Sequence, residues 1–199
     1  MKKIIFILML LSSCSIAIKE NTPTPNPSPL VATVYPASGW HSDYAIWLKE
    51  GFIANSGICP KANLTPDMWV DYWKAIVNAE SSFNRTSQYT ENMGLDSITG
   101  KTVVSEGLFQ LSYQDQRGYP ECKVFDYAAD KVKPAKELSK TIFDAKNQFT
   151  CAMAIAKKLT VRYPSGHPKW VSPYGAYWST ARQTGRGYLN FKKLHPECF

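Results

Sequence analysis

The chain has 199 residues and a formal charge of +7. Past the first 40 residues, about 160 remain, which is one domain in size and enough to bury an ordinary core. No internal repeat and no second domain is expected, and a moderately basic surface suits an anionic polymer.

Residues 1–13 read as an export signal. Lys2 and Lys3 form a short basic start, and residues 4–11 are an unbroken apolar run. That run is far below the roughly 20 apolar residues that span a bilayer as a helix. It fits the apolar core of a signal peptide. The run ends in Leu11-Ser12-Ser13-Cys14, which resembles the bacterial lipobox. The resemblance implies lipidation of Cys14, a membrane-anchored lipoprotein, and sorting to the outer membrane and periplasm because Ser15 follows the cysteine. Without residues 1–13 the charge falls from +7 to +5. Export favours cell wall over nucleic acid as the anionic partner, so no nucleic acid is expected.

Residues 14–40 form a tether that contains Thr22-Pro23-Thr24-Pro25-Asn26-Pro27-Ser28-Pro29. Repeated proline gives an extended, semi-rigid spacer of about 3.1 Å per residue. The folded domain is expected over 41–199. Four cysteines lie in it: Cys59, Cys122, Cys151 and Cys198. An even count in an exported chain points to two disulfides. Three connectivities are possible, and Cys122–Cys151 with Cys59–Cys198 is the one expected. Four buried free thiols are the alternative.

The domain reads as mainly helical. Tyr44, Trp47, Leu48 and Phe52 have helical spacing within 43–55. Thr65 is a good N-cap, Pro66 suits the first helical position, and Met68, Trp69, Tyr72, Trp73, Ile76 and Val77 form an apolar stripe. Another helix follows Asp144 as N-cap, with Phe149, Ala152, Met153, Ala156 and Leu159 in phase. A last helix is expected over 174–183. Between these, 81–107 is polar and turn-rich, with a strand over 101–104 and a hairpin after Thr99-Gly100. A long irregular excursion of this kind in a compact domain is usually functional.

Glu80 falls at the end of the second helix, on or beside its apolar stripe. Burial disfavours a carboxylate and raises its pKa, and a helix C-terminus acts in the same direction. An acid still protonated near neutral pH can give a proton to a glycosidic oxygen. The plainer reading is a solvated acid at a fraying helix end.

Ala79-Glu80-Ser81-Ser82-Phe83-Asn84 resembles the Glu-Ser motif of the soluble lytic transglycosylases, relatives of goose-type lysozyme. Twenty-five residues after Glu80, Ser105-Glu106-Gly107-Leu108-Phe109-Gln110 resembles their Gly-Leu-Met/Phe-Gln motif. Gly175-Ala176-Tyr177-Trp178 is similar to their third, Ala-Tyr-Asn-Ala-Gly. The resemblance covers 41–199. It implies a lysozyme-like α+β domain with a helical core and a small hairpin region. It also implies a monomer without cofactor that cleaves peptidoglycan between N-acetylmuramic acid and N-acetylglucosamine. Glu80 is the implied acid, and in the implied single-glutamate lytic transglycosylase mechanism it then acts as base on the sugar's own 6-hydroxyl, leaving a 1,6-anhydro product. Ser81 touches substrate or positions Glu80, Gly107 lets backbone approach a sugar, and Gln110 and Tyr177 hydrogen-bond in the groove.

This sequence departs from the family at Trp178, where the family has Asn, and at Ser179-Thr180, where it has Ala-Gly. Glu91, Asp96, Glu106 and Asp115 offer a second carboxylate, with Glu106 the first choice. A second acid permits a hydrolase mechanism, as in a lysozyme-type muramidase. A wall-binding lipoprotein without catalysis is a further alternative. His41, His167 and His195 are scattered without ligand spacing, so no metal site is expected. Trp178 and Tyr113 are the aromatics nearest the groove motifs.

Overall fold

Thr65 and Pro66 start the central helix as their chemistry requires. In the computed structural model, which describes residues 35–164, 166–169 and 172–199, the Thr65 side chain accepts from the backbone N–H of Met68 at 3.2 Å. The helix, α2 (Pro66–Ser81), buries Trp69, Tyr72, Trp73, Ile76 and Val77 completely. Each such side chain contributes roughly 1.5–3 kcal/mol by leaving water. Helices α1 (Ser42–Glu50) and α6 (Arg186–Leu194) pack on α2, and α5 (Ala145–Arg162) packs on α1. Two one-turn helices, α3 (Asp115–Gly118) and α4 (Tyr127–Asp130), lie between the hairpin and α5.

An aromatic chain runs through the core. Trp73 meets Trp178 at 5.1 Å and Phe109 at 5.9 Å, and Phe149 meets Phe109 at 4.9 Å and Tyr44 at 5.0 Å. Three of these four pairs are edge-to-face, the arrangement that ring quadrupoles favour. The core therefore joins α1, α2 and α5 to the segment after β2 and to the segment before α6.

Strands β1 (Gln88–Leu95) and β2 (Thr102–Glu106) form an antiparallel hairpin. Gln88 pairs with Glu106, Tyr89 with Ser105 and Thr90 with Val104, and the register shifts before Leu95 pairs with Thr102. Buried Asp96 shapes the turn. Its side chain accepts from the N–H groups of Ile98, Thr99 and Gln114 at 2.7, 2.9 and 3.0 Å. The molecule thus has the expected mainly α, lysozyme-like α+β architecture. Disulfides join Cys59 to Cys198 and Cys122 to Cys151, the expected pairing.

Two expectations need correction. The first helix ends at Glu50 rather than 55, because the backbone leaves the helical path at Gly51, with φ −91° and ψ 13°. No α-helix covers 174–183. Two 3-10 turns, Pro173–Ala176 and Ser179–Ala181, flank an extended Trp178, and α6 follows only from Arg186. The indole of Trp178 donates to Phe109 O at 2.9 Å, a tertiary bond that local propensity does not report. Helix α6 approaches α2 closely because Gly187 lies against it. A Cβ there would come within 2.6 Å of the Ile76 side chain.

The expected signal peptide, the expected lipidation site Cys14 and residues 14–34 of the expected tether lie outside the described residues. Residues 35–40, expected as the end of the tether, are bonded into the domain. The buried Arg85 guanidinium donates to Tyr35 O at 2.8 Å and to Phe143 O at 2.9 Å, and its backbone N–H donates to Ala37 O.

Candidate active site

The second helix stops abruptly just after Glu80. Ser82 and Phe83 both have left-handed backbone, with φ of 51° and 61°, which non-glycine residues rarely adopt. The Ser82 N–H closes on Asn78 O. Glu80 is thereby held on the last turn of α2 and forms one wall of a cavity of about 390 Å³. The hairpin lines the same cavity through Glu91, Met93, Val103 and Ser105, as do Gln110, Asp115 and residues 176–179.

Burial pushes the Glu80 carboxyl above its ordinary 4.5, and the negative charge of Glu91 pushes in the same direction. The hydroxyl and backbone N–H of Thr180 pull it partly back, as does Arg186. The Thr180 hydroxyl donates to Glu80 Oε1. Glu91 sits on β1, where Ser105 of β2 donates to its Oε1 at 2.7 Å. Asp115, also on the cavity, accepts at Oδ2 from Tyr177 OH at 2.7 Å and from Ser112 N at 2.8 Å. Burial raises the pKa of Asp115, and burial and the Asp115 carboxylate together raise that of Tyr177 well above 10. The site therefore holds three carboxyls, and burial shifts two of them, Glu80 and Asp115, toward the protonated form.

The expected site residues divide. Glu80, Gln110 and Tyr177 line this cavity together. Gln110 has a left-handed backbone, φ 52°, and its amide donates to Gly107 O at 2.9 Å and to Ser87 O. Ser81 does not line the cavity. Its hydroxyl turns back onto Val77 O at 3.1 Å. Gly107 does not line it either. Its φ is +80°, and a Cβ would lie 2.5 Å from the Gln148 amide, so the glycine makes room for Gln148 rather than for a sugar. That buried amide accepts from Phe109 N and donates to Glu106 O and Ile142 O.

Glu106, the first choice for a second acid, points away from Glu80. Alternate residues of a strand face opposite sides. Val103 and Ser105 line the Glu80 cavity, whereas Val104 and Glu106 line a different one. Tyr113 also belongs to that other cavity. Thr180, a departure from the resembled motif, proves to hold Glu80. Strand parity was the available signal for Glu91, because alternation puts it on the face of Tyr89, the partner of Ser105, and not on that of Gln88, the partner of Glu106. Trp178 lines the cavity while its indole N–H is committed to the core. Among the described residues no three His, Cys, Asp or Glu side chains gather as a metal site.

Neither a family model nor a curated protein matches this sequence. Solved structures of one protein do. Bd0314 DslA in its wild-type form superposes with a TM-score of 0.56 at 20% identity, over 76% of this chain and 87% of that one. Two single glutamate-to-glutamine variants of the same protein match alike, with TM-scores of 0.56 and 0.55 at 20% and 21% identity. Their substituted positions lie eleven residues apart. This chain shares with Bd0314 DslA a common fold.

Proposed function

We propose that the domain cleaves the glycan strands of peptidoglycan between N-acetylmuramic acid and N-acetylglucosamine, with Glu80 as the proton donor. The observation that carries this reading is a half-buried Glu80 at the end of a helix, its carboxyl pushed up by burial, with Glu91 lining the same cavity. Glu80 protonates the leaving oxygen, the glycosidic C–O bond breaks, and positive charge develops on the sugar. Glu91, oriented by Ser105, stabilises that charge and takes the proton of the attacking water. The product of this hydrolysis has a reducing end. Glu80 and Glu91 are eleven residues apart, the same spacing as the two glutamates replaced in the Bd0314 DslA variants.

A second reading is supported by the motif resemblance around Glu80 and Gln110. In it Glu80 alone serves as acid and then as base, the sugar's own 6-hydroxyl attacks, and a 1,6-anhydro end results. The two disulfides fit export, because such bonds persist in oxidising compartments. A lipid at Cys14 and the proline-rich tether would bring the domain to the wall as a monomer.

Purified protein incubated with wall sacculi, followed by mass spectrometry of soluble fragments, tests the proposal. Reducing ends support hydrolysis and anhydro ends the 6-hydroxyl route. Fragments that persist with Glu80→Gln would overturn the role of Glu80. Wall binding without any fragment would leave only a binding module.

A further inference from the structure

Behind the hairpin, on the face away from Glu80, lies a second cavity of about 290 Å³. No residue lines both cavities. Three buried acids line it, Asp96, Glu106 and Asp130, and both carboxylate oxygens of Asp96 and of Asp130 accept hydrogen bonds. The Gln88 amide donates to Glu106 Oε1 at 2.6 Å, while Oε2 accepts no hydrogen bond from the described residues. That oxygen is accessible rather than enclosed, so a donor or a cation in the cavity can reach it.

The lysines around the cavity fall into two classes. Lys133 is committed to Asp130 Oδ1 at 3.2 Å and Ser139 O at 2.7 Å, and Lys140 to Ala135 O at 2.9 Å. Asp130 is itself saturated, accepting also from Tyr113 and Thr141. Lys140 offsets part of the charge on Glu106 from a distance. Lys101 and Lys131 are different. Both are exposed at the rim and form no ion pair among the described residues. Tyr113 and Tyr127, 5.1 Å apart, supply an aromatic side. The cavity thus offers an acceptor on Glu106 and two cations at its mouth. Its volume lies at the small end of ligand sites, about 300 Å³ upward, and suits a group of amino-acid size rather than a run of sugars.

We propose that this cavity binds the zwitterionic end of a wall peptide stem, with the ammonium on Glu106 and the carboxylate on Lys101 and Lys131. The choice of stem rests on the peptidoglycan reading, since stems carry a diamino acid with a free amine beside a free carboxylate. Such a site holds a peptide of the mesh while the Glu80 groove holds a glycan.

The test is isothermal titration calorimetry on the full chain. The probe is the tetrapeptide L-alanyl-γ-D-glutamyl-diaminopimelyl-D-alanine, and the control is the same peptide with its free diaminopimelyl amine acetylated. We expect saturable binding of the tetrapeptide and at least about tenfold weaker binding of the control, the size of one lost charge-assisted hydrogen bond. Glu106→Gln weakens the tetrapeptide by a similar factor, Lys101→Ala with Lys131→Ala weakens it too, and Glu80→Gln leaves it unchanged. Equal binding of both peptides, no saturation, or full affinity in a folded Glu106→Gln protein overturns the proposal. If Glu106→Gln does not fold, the surface lysine pair decides. Tetrapeptide binding through Glu106 in a protein that cuts no sacculi defeats the glycan-cleavage reading alone. Cleavage without tetrapeptide binding defeats this one alone.

Discussion

Thr180 donates its hydroxyl to Glu80 across 100 residues of chain, from a 3-10 turn to the last turn of α2. The bond acts on the acid in two ways. It fixes the carboxyl in the cavity, and it stabilises the ionised form against the burial that raises the pKa. Thr180→Val keeps the shape and removes the donor. The alkaline limb of the pH profile of kcat/KM should then move to higher pH, with activity at the optimum falling several-fold from lost orientation. An unmoved alkaline limb would mean that this bond does not tune the acid.

Glu80→Gln should lower kcat by about 10²–10⁴, the usual contribution of a positioned general acid. The same change should stabilise the fold at neutral pH. Because the folded-state pKa of Glu80 lies above its ordinary 4.5, folding is favoured most where the carboxyl is protonated, and that advantage is lost as pH rises through the folded pKa. Thermal melts should therefore show the Gln variant more stable than wild type at pH 7. The gap should close as pH falls below 4.5.

Glu91→Gln separates the two chemistries. Under hydrolysis, kcat should drop by about 10²-fold or more. A variant with wild-type rates and anhydro products would assign the reaction to Glu80 alone. Mass spectra of the fragments together with initial rates read out both.

Gly107→Ala should destabilise the domain by about 1–3 kcal/mol, through a left-handed backbone that alanine resists and a clash with Gln148. Urea denaturation measures it. The loss should appear in stability before it appears in KM, because Gly107 does not line the Glu80 cavity.

The disulfides close loops of different length, with sequence separations of 139 and 29 residues. Loop-closure entropy makes removal of Cys59–Cys198 cost about 5 kcal/mol and removal of Cys122–Cys151 about 3.5 kcal/mol. Paired Cys→Ser variants, compared by chemical denaturation, should rank in that order.

Local chemistry written in the chain accounts for much of this molecule. Thr65 and Asp144 cap the helices they precede, the 3.6-residue stripe from Met68 to Val77 faces the core, and Glu80 ends α2 with its back to that core. These features depend on neighbours three or four residues away, so they were legible without a fold. What faces Glu80 was not. Glu106 stands next to the motif that drew attention to it, yet strand alternation turns it to the far side and brings Glu91 to the near one. Thr180 reaches Glu80 from a 3-10 turn, and Tyr177 reaches Asp115, in a segment where a helix was expected over 174–183 and the Trp178 indole bonds Phe109 O. Contacts between residues far apart in sequence depend on which face each element turns to its neighbour. Hydrophobic period shows that a face is buried, and only the packed structure decides against what.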